Sequence, residues 1–168
     1  MLVLGFADYR TQGETLAQQL DLEYEQVEIH RFPDGESRVT LPTPLPPEVI
    51  ICRSLDRPND KLIELLLLVQ ATRELGVTHL TLVAPYLCYM RQDISFHPGE
   101  AVSQRIIGRF LTELFDRVVT VDPHLHRTEQ LSQVMPGIET QCLHSAPLMS
   151  AFLRASTKQP LLVGPVVR

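Results

Sequence analysis

Along this chain, short and mostly β-branched apolar runs alternate with longer amphipathic stretches. Residues 1–6, 49–52, 79–84, 117–121 and 161–164 read as strands. Residues 11–20, 59–75, 101–115 and 146–155 read as helices, and in the second of these Leu62, Leu65, Leu66, Val69, Ala71 and Arg73 trace an apolar stripe with its polar flank. Strands separated by helices of this length predict βαβ units. The fold class is therefore α/β, a parallel sheet covered by helices on both faces. The one compositional break is Pro42, Pro44, Pro46 and Pro47, too proline-dense for a helix interior or a central strand and thus a loop. In sheets of this kind ligands bind beyond the carboxyl ends of the strands, so the segments that follow a strand carry the candidate chemistry.

Three such segments stand out. The first, Arg31-Phe32-Pro33-Asp34-Gly35-Glu36-Ser37-Arg38, follows the alternating run 24–30. Pro-Asp-Gly is a turn with a mechanism: Pro presets φ, Asp bonds its own backbone and Gly accepts positive φ. A plain hairpin turn would account for that much. It leaves unexplained an aromatic ring beside Asp34 and Glu36 at an exposed tip, a set suited to stacking a base and accepting from its exocyclic amine.

The second segment, 84–93, contains Tyr86, Tyr89, Arg91, Gln92 and Asp93. Arg91 can grip phosphate oxygens through its planar fork, and Gln92 can both donate and accept. The plainer alternative packs the tyrosines under a loop and pairs Arg91 with Asp93 on the surface. The third segment closes the strand 117–121 with Asp122-Pro123-His124-Leu125-His126. Asp122, His124 and His126 recur at period two, which places them on one side if the strand geometry continues. A carboxylate and imidazole there suit Mg²⁺ completed by substrate phosphates. Zinc is the rival, with Cys142 and His144 downstream, although so little chain follows that a barrel hydrolase is a poor fit. His30, His79, His97 and His144 show no telling spacing and read as ordinary residues.

Composition narrows the classes further. Fifteen basic against twenty acidic side chains leave a net charge of −5, which argues against a surface built to neutralise nucleic-acid phosphates. Three scattered cysteines form no metal or disulfide pattern and fit a reducing compartment, so a cytoplasmic location is expected. The apolar start lacks a basic leader, and the run 65–69 is far short of the ~20 residues that span a bilayer. Neither a P-loop, a Gly-x-Gly-x-x-Gly nor a Gly-x-Ser-x-Gly occurs.

Taken in order, Arg31-Phe32-Pro33-Asp34-Gly35-Glu36, Arg57-Pro58-Asn59-Asp60 leading into Ile63-Glu64-Leu65-Leu66, Pro85-Tyr86 through Tyr89-Met90-Arg91-Gln92-Asp93, and Val121-Asp122-Pro123-His124 resemble ribose-phosphate diphosphokinase, also called phosphoribosyl pyrophosphate synthetase. The resemblance runs from about Phe6 to about Pro165, and its Asp-Pro-His-Leu-His form is similar to the archaeal-type branch.

It implies phosphoribosyltransferase-like (Rossmann-like) domains and transfer of the β,γ-pyrophosphoryl group of ATP to the 1-hydroxyl of ribose 5-phosphate. Residues 1–143 would be the ATP-side domain and 144–168 the beginning of a truncated second one. Phe32, Asp34 and Glu36 would hold adenine, reaching into a neighbouring subunit of a homo-oligomer. Arg91 and Gln92 would bind ATP, Asp122 and His124 would meet Mg²⁺, and Arg91 and His124 would serve the chemistry. Ile94-Ser95 stand where many members carry basic residues, and Val166-Val167-Arg168 follow a strand that resembles the one before an essential Asp. The expectation is ATP binding by this chain without formation of phosphoribosyl pyrophosphate. A catalytically silent nucleotide-binding or regulatory homologue and a small metal-dependent hydrolase using Asp122, His124 and His126 are the alternatives.

Overall fold

A computed structural model describes residues 1–157; the strand expected at 161–164 and the latter part, 158–168, of the proposed second unit's opening lie outside them. The described chain runs β1 (Leu2–Phe6), a 3-10 turn (Ala7–Tyr9), α1 (Arg10–Gln19), β2 (Glu23–Arg31), β3 (Ser37–Thr40), β4 (Glu48–Cys52), α2 (Pro58–Glu74), β5 (His79–Val83), α3 (Ser103–Leu114), β6 (Arg117–Val121), α4 (Leu131–Val134), β7 (Glu139–Leu143) and α5 (Ala146–Ser156). The seven strands form one sheet in the order β3-β2-β1-β4-β5-β6-β7. All neighbours pair in parallel except β3, which turns back antiparallel on β2.

Burial explains this order. β1 is buried on both faces: Leu2, Leu4 and Phe6 join a core with Leu65 and Leu68 of α2 and Leu111 and Leu114 of α3, while Val3 packs with Ala17 of α1. Fully burying each leucine of that core is worth about 1.5–3 kcal/mol, so the apolar stripe of α3 selects the face it covers. The expectation of two covered faces holds at β1 and β4. Farther along, the second face is only half-buried at Thr81 and Val83 of β5 and at Val119 of β6. Pro58 opens α2, where its preset φ costs no hydrogen bond. The proline-rich segment 42–47 is, as expected, a loop, and it joins β3 to β4.

Elements beyond the sequence reading are the 3-10 turn after β1, the short strand β3, the edge strand β7, whose polar alternation lacks a β-branched run, and the single-turn helix α4. Among the described residues no helix is long and apolar enough to cross a membrane.

Candidate active site

Because β1, β2, β4, β5, β6 and β7 run in parallel, their carboxyl ends share one edge, and the three sequence segments all leave from it. At β2 and β3 the chain closes a hairpin whose tip is residues 32–36. The Phe32 amide donates to the Glu36 carbonyl (2.8 Å), Gly35 N–H to the Phe32 carbonyl (3.0 Å) and Glu36 N–H to Asp34 Oδ1 (3.1 Å). Gly35 sits at φ +93°, a conformation glycine adopts without strain. Phe32 remains 39% exposed, and its ring meets that of His30 edge-on with centroids 4.7 Å apart. Its face, with the exposed Asp34 and Glu36 beside it, is open to a planar ligand.

The hairpin's root is held by charge. Glu64 of α2 is fully buried, and its Oε1 accepts from Arg31 Nη2 at 3.1 Å and from Ser37 Oγ at 3.2 Å. Its Oε2 lies 2.7 Å from Arg53 Nη2, close but not aligned as a hydrogen bond. Arg53 is 3% exposed, stacks 3.9 Å over the Phe6 ring and also meets Asp8, which Lys61 approaches at 3.0 Å. This cluster borders an open cavity of about 740 Å³ lined in part by Asp8, Gln26, Arg31, Arg38 and Arg53. Sequence reasoning missed it. The usable sign was a lone carboxylate, Glu64, inside an otherwise apolar run.

Beyond β5, backbone pairing continues into the loop: Val121 N–H donates to the Pro85 carbonyl and Leu55 N–H to that of Tyr86. Leu87, Cys88 and Met90 are buried, whereas Tyr86 and Tyr89 are exposed, so the tyrosines do not pack under the loop. Tyr89 donates its hydroxyl hydrogen to Asn59 Oδ1. Asp93 does not pair with Arg91: its nearly buried carboxylate accepts from Arg127 Nη1 at 2.8 Å, tying this loop to the one after β6. Gln92 Oε1 accepts from Ser103 Oγ and fixes the start of α3. Arg91 is exposed and meets no carboxylate among the described residues, which leaves its fork free for an anion.

After β6, Asp122 turns into the left-handed region at φ +42°, so extended geometry stops there. His124 and His126 still share a side, their rings parallel within 4° and 5.9 Å apart. Asp122 points elsewhere. Its Oδ2 accepts from the Ser145 hydroxyl and from Ser145 N–H (3.0 Å), and its Oδ1 lies 3.1 Å from His144 Nδ1. The Ser145 hydroxyl and amide, then His144, hold the Asp122 carboxyl below its usual range. His144 is thus no ordinary surface histidine. Arg91, Asp122 and His124 nonetheless line one hollow of about 200 Å³ with Tyr86 and Met90.

Among the described residues no three His, Cys, Asp or Glu side chains converge on a metal position, and the Asp122/His124/His126 trio does not close into a cage. One carboxylate and one imidazole beside a free arginine fit an ion that keeps waters and borrows phosphate oxygens. Burial pushes the Cys52 and Cys88 thiols up to about 11, so neither is a nucleophile at neutral pH.

The sequence-predicted residues fall into two groups. Arg91, Asp122 and His124 come together at β5 and β6, with Gln92 beside Arg91 in the chain. Phe32, Asp34 and Glu36 lie at the end of β2, three strand positions from β5 and four from β6 along the edge. At about 4.8 Å per step the separation is about 14–19 Å, so one chain does not bring the two groups together.

Against known proteins, the family model for the N-terminal domain of ribose phosphate pyrophosphokinase matches residues 1–114. The ribose-phosphate pyrophosphokinase of Methanopyrus kandleri is 38% identical over 125 residues, covering 74% of this chain and 43% of that protein. That of Saccharolobus solfataricus is 33% identical over 168 residues, covering 98% of this chain and 56% of that protein. The crystal structure of phosphoribosylpyrophosphate synthetase from Mycobacterium smegmatis shares the fold, with a TM-score of 0.76 at 22% identity over 92% of this chain and 52% of that one. The chain thus spans about half the length of the curated relatives it matches. With its first 114 residues matched throughout and its relatives agreeing, the chain belongs to the ribose-phosphate pyrophosphokinase family.

Proposed function

We propose that this chain carries the nucleotide side of a ribose-phosphate diphosphokinase. In that reaction the 1-hydroxyl oxygen of ribose 5-phosphate attacks the β-phosphorus of ATP, the bond from that phosphorus to the α,β-bridging oxygen breaks, and AMP leaves. The observation that carries the reading is the shared hollow of Arg91, Asp122 and His124. There Arg91 neutralises phosphate charge, and Asp122 and His124 hold Mg²⁺, which would supply further charge neutralisation when bound. Gln92 contributes a polar contact to ATP beside Arg91. Phe32 stacks on adenine while Asp34 and Glu36 accept from its amine, serving the hollow of a second copy in a homo-oligomer. Positioning and electrostatics of this kind do most of the work in phosphoryl-group transfer.

The domain boundary near residue 143 belongs to the same proposal. It is supported by α5, none of whose residues is buried and whose Leu148, Met149 and Phe152 lie exposed just after β7, the last strand among the described residues. A cytoplasmic location is also part of the reading. A catalytically silent nucleotide-binding homologue is the second reading, favoured by Asp122, whose two oxygens are already engaged by Ser145 and His144.

Titration calorimetry with ATP and Mg²⁺, followed by an assay for ribose 5-phosphate-dependent AMP release, tests both. The expected result for these 168 residues is Mg²⁺-dependent ATP binding without AMP release, because nothing in the sequence from Asp122 to Arg168 reads as a phosphate-cradling loop for the sugar. Release restored by adding the remaining portion of a full-length relative would support the diphosphokinase reading over the silent one. Absence of ATP binding would remove both.

A further inference from the structure

We propose that Glu64 is a positioning residue that sets the direction of the nucleotide-facing tip. The inference rests on the proposed role of that tip in binding adenine. A single buried oxygen, Glu64 Oε1, accepts from Arg31 Nε (3.3 Å) and Nη2 (3.1 Å) and from Ser37 Oγ (3.2 Å). Arg31 and Ser37 are register partners on β2 and β3, and they flank the tip on either side. Both legs of the hairpin are therefore tied to one atom of α2.

The tip's own hydrogen bonds all run within residues 32–36, so they fix its shape but not its direction. The one aromatic pair that Phe32 makes among the described residues is with His30, itself part of the hairpin. Direction must come from the root. There Arg31 also reaches Asp60 Oδ2 at 3.5 Å, an exposed pair worth little, so the firm anchor is Glu64, whose other oxygen lies 2.7 Å from the buried Arg53. Ile29 and Val39 pack the legs of the hairpin against the core, but the tip beyond them is exposed, and a charge-assisted anchor at its root supplies resistance to swinging.

The test keeps Glu64. Replacing it would also strip Arg53 of its carboxylate and mix loss of position with loss of stability. The double variant Arg31→Met/Ser37→Ala removes both donors and leaves the Glu64–Arg53 pair in place. In nucleotide-free protein, hydrogen exchange of residues 28–40 is expected to speed up roughly tenfold, with β1, β4 and β5 unchanged. Affinity for ATP with Mg²⁺ is expected to fall roughly tenfold, and Arg31→Lys/Ser37→Ala, which restores one donor, should recover part of both effects. Unchanged exchange at 28–40, or exchange rising across the whole sheet alike, would overturn the anchoring. A loosened hairpin with unchanged ATP affinity would uphold the anchor but overturn the tip's role in nucleotide binding.

Discussion

Replacing Glu64 by Gln keeps the shape of the side chain and deletes its charge. Arg53, 3% exposed, then loses its nearest carboxylate and keeps only Asp8, which is 39% exposed and 3.3 Å away. Removing one partner of a buried ion pair typically costs about 3–5 kcal/mol, and the surviving Asp8 contact argues for the lower end, about 3 kcal/mol. Arg31 adds little, since it is 57% exposed and retains Asp60 at 3.5 Å. Against a native stability of order 5–15 kcal/mol this is a large fraction, and at about 2–4 °C per kcal/mol it predicts a fall in Tm of about 6–12 °C. Removing both charges is different, because a buried pair replaced by apolar side chains of similar volume is often neutral or stabilising. Arg53→Met/Glu64→Leu should therefore recover most of the loss. Urea and thermal unfolding of the wild type, the Gln variant and the double variant measure all three. A Gln variant within 1 kcal/mol of wild type, or a double variant as unstable as the single, would refute the reasoning.

Three further outcomes are expected. Arg91→Ala should weaken ATP binding by about 1.5–3 kcal/mol, the value of a charge-assisted contact, while leaving the unfolding midpoint unchanged; titration calorimetry and urea melts read the two. Gly108→Ala should destabilise by about 1–3 kcal/mol, because its Cβ would fall 2.4 Å from the Val134 carbonyl oxygen, a backbone atom that cannot rotate away. Burial alone would raise the Asp116 carboxyl, but the Leu80 amide and the Arg73 guanidinium outweigh it and hold it below its usual range. Its folded value being depressed, its stabilisation is present above the ordinary carboxylate pKa and is lost as pH falls through the folded value, so Asp116→Asn should flatten the acid side of the stability profile.

What the sequence disclosed follows from burial. β1, β4, β5 and β6 stand out because fully or half-buried parallel strands are written as apolar runs, and β6 was bounded to the residue. β7 escaped because an edge strand of the pattern Glu-Thr-Gln-Cys-Leu buries too little to show. Helix α2 exposes a deeper limit. Its run of apolar residues gives no face a clear advantage, and Ile63 and Leu67 end up exposed while Glu64 is buried. Periodicity counts a carboxylate as polar flank; it cannot foresee that Arg53 and Arg31, separated from it by 11 and 33 positions, will draw it inward. The same blindness applied to Asp122. Its spacing from His124 suggested a shared side, but a left-handed turn and the distant pair His144 and Ser145 redirected its carboxylate.

The separation of the two residue groups has a thermodynamic consequence. If the Phe32 tip of one copy completes the Arg91 hollow of another, nucleotide binds the assembly better than the lone chain. Linkage then requires ATP to strengthen association by the same factor by which association strengthens ATP binding. A lone chain would offer the hollow without the tip, some 14–19 Å away along the sheet edge. Losing a stacked aromatic and its hydrogen-bonding carboxylates is worth about 1–3 kcal/mol, so apparent affinity should rise roughly 5- to 150-fold from dilute monomer to concentrated oligomer. Sedimentation velocity with and without ATP and Mg²⁺, paired with titrations at several protein concentrations, measures both sides of the cycle. Phe32→Ala should abolish the concentration dependence while leaving the weak intrinsic binding at Arg91. An affinity that is constant across the monomer–oligomer transition would mean that the tip serves its own chain or no nucleotide at all, and the shared-site geometry would fall with it.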